Sequence, residues 1–333
     1  MKCLSMGETL LRYATDKGKR MQELSFHVHV GGSETNIATS LANFGYESEL
    51  FSKISDNDLG TGIMKFLHSH QVNTDKVIRS KERVGSYYLE IGSGNRTSKV
   101  IYDRANSAMT TLSKEEIDVA RLCKGIDIFI VSGITLALSR EIQDIVIAIM
   151  KYCKEHDISV VYDSNYRAKL WSQKEAGNAL REVLPYVDVL SAGHLDAKYL
   201  LNMDIQTGEH EEVLLDCYQK IKEQYPNIKY IISTKRDIIS SSINELQGYL
   251  YDGEKITTSN LYGIDDIVDR VGAGDAFMSG AIHGILQKND LSYIINFACC
   301  ASVLKHTVHG DANAFTVAEI EEFMEHGVAR IQR

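Results

Sequence analysis

Asp275 directly follows Gly272-Ala273-Gly274 and directly precedes a long apolar helical pattern of Ala276, Phe277, Ala281, Ile282, Ile285 and Leu286. Glycine lets a ligand approach the backbone closely and lets the chain take positive φ. A helix start offers unpaired N–H groups and the positive end of its dipole to phosphate oxygens. A carboxylate at the N-cap or in the first turn could take the proton of a hydroxyl while those N–H groups stabilise a transferring phosphoryl. Alone, the same residues are a glycine turn with a capping aspartate. Further polar groups sit at other segment ends: Gly31-Gly32 with Asn36, Tyr102-Asp103-Arg104, Asp163-x-Asn165-x-Arg167, and Ser233-Thr234-Lys235.

The elements that must position them read as α/β. Near-continuous apolar strands at Ile126–Val131, Ile158–Asp163, Asp188–Leu190 and Tyr230–Thr234 alternate with helical patterns at Arg140–Glu155, Lys174–Val183, Asp196–Leu201 and Glu211–Gln224. Such strands, buried on both faces, predict a doubly wound sheet with ligands outside its carboxyl ends. Strands are also predicted at Lys2–Met6 and Ser48–Ile54, and helices at Glu34–Phe44, Leu59–His70, Leu291–Lys305 and Val317–Ala329. Two half-polar alternating stretches, Phe26–Val30 and the hairpin pattern of Val84–Tyr102, predict a small sheet standing apart from the core.

Length, 333 residues, allows a sizeable core, and 44% hydrophobic with 24% charged residues is ordinary for a globular chain. A net charge of −9 argues against a nucleic-acid partner. No apolar run approaches the roughly 20 residues of a membrane span. The six cysteines are scattered with no C-x-x-C pair, which points to reduced thiols and the cytoplasm. The histidines His27, His29, His194, His306 and His309 lack ligand spacing and read as solvated or structural. There is no G-x-x-x-x-G-K-[ST], so a P-loop is excluded, and no early G-x-G-x-x-G, which counts against a dinucleotide-binding oxidoreductase.

Gly31-Gly32 followed by Asn36 resembles the N-terminal glycine motif of ribokinase-like (PfkB) sugar kinases. Asp269-Arg270-Val271-Gly272-Ala273-Gly274-Asp275 resembles that family's C-terminal signature. The resemblance covers essentially the whole chain. It implies a single domain, 1–333, with a three-layer α/β/α sheet and a small β-sheet lid from segments of about 9–33 and 84–107. Gly85-Ser86-Tyr87, Val100 to Arg104, Ser132 to Ser139, Asp163 to Trp171 and Arg270 resemble the 2-keto-3-deoxygluconate kinase branch. That branch implies ATP-dependent phosphorylation of 2-keto-3-deoxygluconate to 2-keto-3-deoxy-6-phosphogluconate.

Carried over residue by residue, the resemblance implies Asp275 as general base and Gly272, Ala273 and Gly274 as anion hole. Gly32, Asn36, Tyr87, Tyr102, Arg104, Ile134, Arg167 and Asp311 would meet the sugar. Asn165, Arg167, Thr234 and Lys235, with Gly272 and Gly274, would meet ATP. Arg104 and Arg167 could offer bidentate donors to a substrate carboxylate, and Arg167 could equally serve phosphates. The implied metal is Mg²⁺, for which Asp196 is the candidate; the family's Asn-x-x-Glu motif is here Gly193-His194-Leu195-Asp196. The glycine-rich nucleotide loop after Thr234 is replaced by Lys235-Arg236-Asp237-Ile238-Ile239-Ser240. Glu8 stands after Gly7 where a sugar-binding Asp would lie nearby, and the lack of that Asp favours an acid sugar. A homo-oligomer through the lid is implied as well. Two alternatives stay open: a kinase for a neutral ketose or pentose, and a sugar- or nucleotide-binding protein without catalysis.

Overall fold

The computed structural model describes residues 1–327. Its main sheet contains β1 (Lys2–Met6), β4 (Glu47–Ser55), β5 (Val77–Ser80), β8 (Ile128–Ser132), β9 (Ser159–Asp163), β10 (Val189–Ser191), β11 (Tyr230–Ile238), β12 (Asn244–Tyr251), β13 (Ile256–Thr258) and β14 (Tyr262–Ile264). The order is β13-β12-β11-β10-β9-β8-β1-β4-β5, with β14 also on β12. From β11 through β5 the neighbours are parallel, and the β12 pairings are antiparallel.

Side-chain alternation along the central strands fills two cores. Phe129, Val131, Val160 and Tyr162 face one layer, packed against the helices Arg140–Glu155, Gln173–Val183 and His210–Gln224. Ile128, Ile130 and Val161 face the other, against Ser33–Asn43, Ala273–Leu286, Leu291–Lys305 and Val317–His326. The sheet is therefore doubly wound and three-layered, as the near-continuous apolar strands require.

A separate four-stranded sheet, β3-β2-β6-β7, combines β2 (Leu10–Ala14), β3 (His27–Gly31), β6 (Gly85–Glu90) and β7 (Lys99–Asp103). It is the small separate sheet expected from the two alternating stretches and is consistent with a lid. Three strands had no clear sequence signal: β2, mostly buried as Leu-Leu-Arg-Tyr-Ala, the edge strand β5, and the short β14. β11 runs to Ile238 and is joined by a short turn to β12, so most of the stretch after Thr234 is strand rather than loop. The last predicted helix is described to His326; Val328 and Ala329 lie outside the described residues. Among the described residues no helix is long and apolar enough to cross a membrane, and all six cysteines are free and buried.

Candidate active site

Register brings the polar strand ends together. Ser132 of β8 lies beside Asp163 of β9, and Asp163 beside Ser191 of β10. Above this edge a cavity of about 560 Å³ runs from the lid to the β11–β12 hairpin. Its size is that of a small-molecule site.

Two helices open into it, Ser33–Asn43 and Ala273–Leu286. Each starts at a glycine in the N-cap position, Gly32 (φ 127°) and Gly272 (φ 81°), with no side chain bonded to its first N–H groups. Several other helices are capped by Asn57, Ser139, Ser172, Asp290 or Thr316. No side chain therefore competes with an anion for the first N–H groups of the two cavity helices, although Ala273 N makes a long bond of 3.5 Å to the Arg270 carbonyl. The glycines also serve the protein's own packing: a Cβ at Gly32 would meet the Glu8 carbonyl oxygen at 2.2 Å, and one at Gly272 the Asp311 carbonyl oxygen at 1.7 Å. Only Gly274, with no atom within 4 Å of that position, leaves room for a ligand.

Asp275 stands in the first turn of its helix, buried at the cavity floor. One oxygen accepts from Ser33 Oγ and the other from Asn36 Nδ2, both at 2.7 Å. Burial raises its pKa above the ordinary value, opposed by those two bonds and by the charges of Arg167 and Lys305. The start of the Ser33–Asn43 helix is itself anchored: Glu34 accepts from Ser132 N, Ser132 Oγ and Thr135 Oγ1 at 2.8, 2.7 and 2.7 Å. Asn36 keeps its buried Oδ1 without a partner, free to accept from a ligand. Asp163 also faces the cavity, and burial followed by repulsion from Asp275 pushes its pKa up to about 7.

At the lid end the charges of Arg12, Asp269 and Asp311 are paired with one another. Arg12 of β2 is fully buried; its guanidinium donates to both oxygens of Asp269 at 3.0 and 2.6 Å, and Nε pairs with Asp311 at 2.8 Å. Asp269 in turn accepts from Val271 N and Gly310 N, each at 3.1 Å, which fixes the glycine turn. Burial would raise Asp269, but the bonds and charge of Arg12 hold it below the usual value. Lys305 is fully buried beside this group, its Nζ 3.5 Å from the Asp269 carbonyl and 3.4 Å from that of Val308. Asp311 accepts from Tyr87 OH at 3.1 Å, and burial brings its pKa to about 6. Tyr87 and Tyr102 pack 6.1 Å apart, and the Arg104 guanidinium lies over the Tyr102 ring.

Arg104 faces the cavity with its charge already spent. Its Nε donates to Glu8 at 2.7 Å, its Nη2 pairs with the same carboxylate, and Ser107 Oγ donates to the other Glu8 oxygen. An acidic residue therefore does line the lid end, contrary to the expectation of an uncontested cationic clamp, but its charge is balanced. Ile134, Asn165, Arg167 and Thr234 all line the cavity, and Arg167 has no ion-pair partner among the described residues.

Two expected residues lie elsewhere. Lys235 is not in the wall; it alternates away from Thr234 and pairs with Asp237 at 3.0 Å. Its neighbour Arg236 takes the cavity side, which the two-residue period from Thr234 could have shown. Asp196 accepts from Ser164 Oγ and Gly193 N, both at 2.8 Å, and does not line the cavity. Among the described residues no three His, Cys, Asp or Glu side chains converge as a metal site. Arg12, Ser33, Glu34 and Lys305 carried no sequence signal, because their roles depend on partners far along the chain.

The pfkB family carbohydrate kinase profile matches residues 2–317. The chain belongs to this family. It is an ATP-dependent carbohydrate kinase. The solved structure of 2-dehydro-3-deoxygluconokinase from Thermotoga maritima is 36% identical with a TM-score of 0.94, covering 98% of this chain and 99% of that one. The 2-dehydro-3-deoxygalactonokinase of Haloferax volcanii is 28% identical over 331 residues, 99% of this chain and 98% of the relative. The 2-dehydro-3-deoxygluconokinase of Bacillus subtilis is 28% identical over 295 residues, 87% of this chain and 84% of the relative.

Proposed function

We propose that this kinase transfers the γ-phosphoryl of ATP to the terminal hydroxyl of 2-keto-3-deoxygluconate, giving 2-keto-3-deoxy-6-phosphogluconate and ADP. The observation that carries the reading is Asp275, aimed by Ser33 and Asn36 and seated in the first turn of a helix whose N–H groups are uncapped. Asp275 takes the hydroxyl proton as the oxygen attacks phosphorus and the bond to ADP breaks. The first-turn N–H groups at Gly272–Gly274 stabilise the charge on the transferring phosphoryl. Buried and held by Ser33 and Asn36, the carboxylate is already oriented, and its raised pKa makes it a better acceptor than an ordinary aspartate.

Beneath the lid, Asn36 Oδ1, Tyr87, Tyr102, Asp311 and Ile134 supply sugar contacts. The carboxylate of an acid sugar meets Arg167 and the remaining donor edge of Arg104. The names of the relatives support a keto-deoxy acid over a neutral ketose or pentose. Magnesium, when present, neutralises phosphate charge; with no converging ligand set among the described residues, phosphate oxygens and water would hold it. Reduced, buried thiols support a cytoplasmic setting.

Oligomerisation through the lid is supported by its outer face. Val28, Tyr13, Tyr88 and Ile101 form one row across the four strands, with Val28 54% and Ile101 55% exposed. Light scattering on a Val28→Glu, Ile101→Glu variant should show a smaller particle; an unchanged mass would remove the lid interface.

The substrate is tested by ATP-coupled assays over 2-keto-3-deoxygluconate, its C4 epimer 2-keto-3-deoxygalactonate, fructose and ribose. The gluconate form should have the highest kcat/KM. A neutral sugar turned over better than both acids would overturn the assignment.

A further inference from the structure

The hairpin end of the cavity carries positive charge with nothing to balance it. Arg236 lines the wall, and its buried Nε has no hydrogen-bond partner. Arg270, two residues before Gly272, lines the same wall and donates to the Ser241 carbonyl at 3.1 Å. The Ser241 hydroxyl is buried there without a partner as well. Neither arginine forms an ion pair among the described residues, whereas Arg12 and Arg104 at the lid end each hold carboxylates. Burial, and then the neighbouring Arg270, disfavour the charged form of Arg236. His306, which feels both charges, is pushed down to about 4 by burial and then by Arg236, so it stays neutral and adds no further charge near pH 7. Like charges half-buried together with an idle donor cost free energy until an anion arrives.

We propose that Arg236 and Arg270, with the Ser241 hydroxyl, form the subsite for the nucleotide phosphates that are not transferred. Position favours this anion over the sugar carboxylate. β11 lies four strand spacings from β1, about 19 Å along the carboxyl edge. The lid residues that face the sugar grow from the β1 side, and only the tip of the lid hairpin reaches across, where Ser241 N donates to the Gly94 carbonyl at 3.4 Å. The turn after Thr234 has no glycine and so offers no backbone nest for phosphates. Two guanidinium forks supply the donors instead. The inference rests on the reading of Gly272–Gly274 as the phosphoryl-binding turn.

Calorimetric titration of the wild type, Arg236→Gln, Arg270→Gln and the double variant with ADP, adenosine and the acid sugar tests it. Each single change should weaken ADP by roughly 10- to 100-fold, with adenosine and sugar affinity unchanged and Arg→Lys intermediate. Because repulsion is relieved, the Tm without ligand should hold or rise while the ADP-induced rise in Tm shrinks. Unchanged ADP affinity, an equal loss of adenosine, or a lower ligand-free Tm with a normal ADP response would each overturn the proposal. Loss of sugar affinity in place of ADP affinity would also overturn it, because the anion would then be the substrate carboxylate. A wild type that binds no ADP would take the phosphoryl-turn reading down with it, whereas ADP binding retained in both variants removes only the arginines' part.

Discussion

The lid end and the hairpin end of one cavity handle charge in opposite ways. At the lid end, Arg12 is saturated by Asp269 and Asp311, Arg104 by Glu8, and Asp275 by Ser33 and Asn36. At the hairpin end, Arg236 and Arg270 face the same space without a carboxylate. A sugar acid with one charge and several hydroxyls needs geometry above all, which saturated networks provide because each member is held by another, and a single unpaired cation, Arg167, is enough for its carboxylate. A polyanion needs charge, and charge can wait unpaired only where the ligand supplies the counterion. The difference shows which end is built for orientation and which for neutralisation.

If that contrast is right, breaking the saturated end should cost most. Asp275→Asn keeps the shape and the bond from Ser33 but removes the proton acceptor. Turnover should fall by several orders of magnitude, on the order of 10³ or more, while calorimetry still detects ADP and sugar. Near-normal turnover would sink the general base.

Next comes Arg12→Met, which strands two buried carboxylates. Urea unfolding should show a loss of about 3–5 kcal/mol, against little or none for Arg270→Gln at the unsaturated end. Equal losses at the two ends would erase the distinction.

A smaller effect belongs to Asp163. Its folded pKa is raised from 3.8 to about 7, so the stability it contributes is full below 3.8 and is lost as pH rises through about 7. Thermal melts from pH 5 to 8 should therefore show the wild type losing ground to Asp163→Asn as pH rises to about 7, with the difference levelling off above it. A difference that does not vary with pH would remove the carboxylate repulsion.

Smallest is the Glu8–Arg104 pair. Glu8→Gln frees a cation at the lid end and should lower KM for the acid sugar a few-fold, whereas Arg104→Gln should raise it. Shifts in the same direction would show that the pair acts only as packing.

Much of the frame was legible from periodicity. The helices Arg140–Glu155 and Leu291–Lys305 occur where their apolar spacing places them, and the glycine turn opens a helix as its residues suggest. Local pattern could not show β2, because Arg12 interrupts an otherwise apolar strand and reads as solvent-facing unless its two partners are known. Nor could it show that Arg104 is neutralised, since Glu8 lies 96 residues away in sequence. Lys235 and Arg236 look alike in sequence, and the two-residue period of β11 from Thr234 is what separates them, once the strand is known to continue past Thr234. What sequence conceals here is pairing across distance, and pairing is what separates the two ends.

The Arg12 triad has a consequence for how the chain becomes a kinase. Its partners stand at Asp269, 257 residues downstream, and at Asp311, later still. During synthesis, β2 emerges early with a guanidinium that cannot be buried until nearly all of the chain has followed. Closing so long a loop is entropically slow and is rewarded only at the end. The burial of Arg12 is therefore complete only when the glycine turn and the Asp311 loop are in place, so the cavity floor and its roof depend on the same long-range contacts.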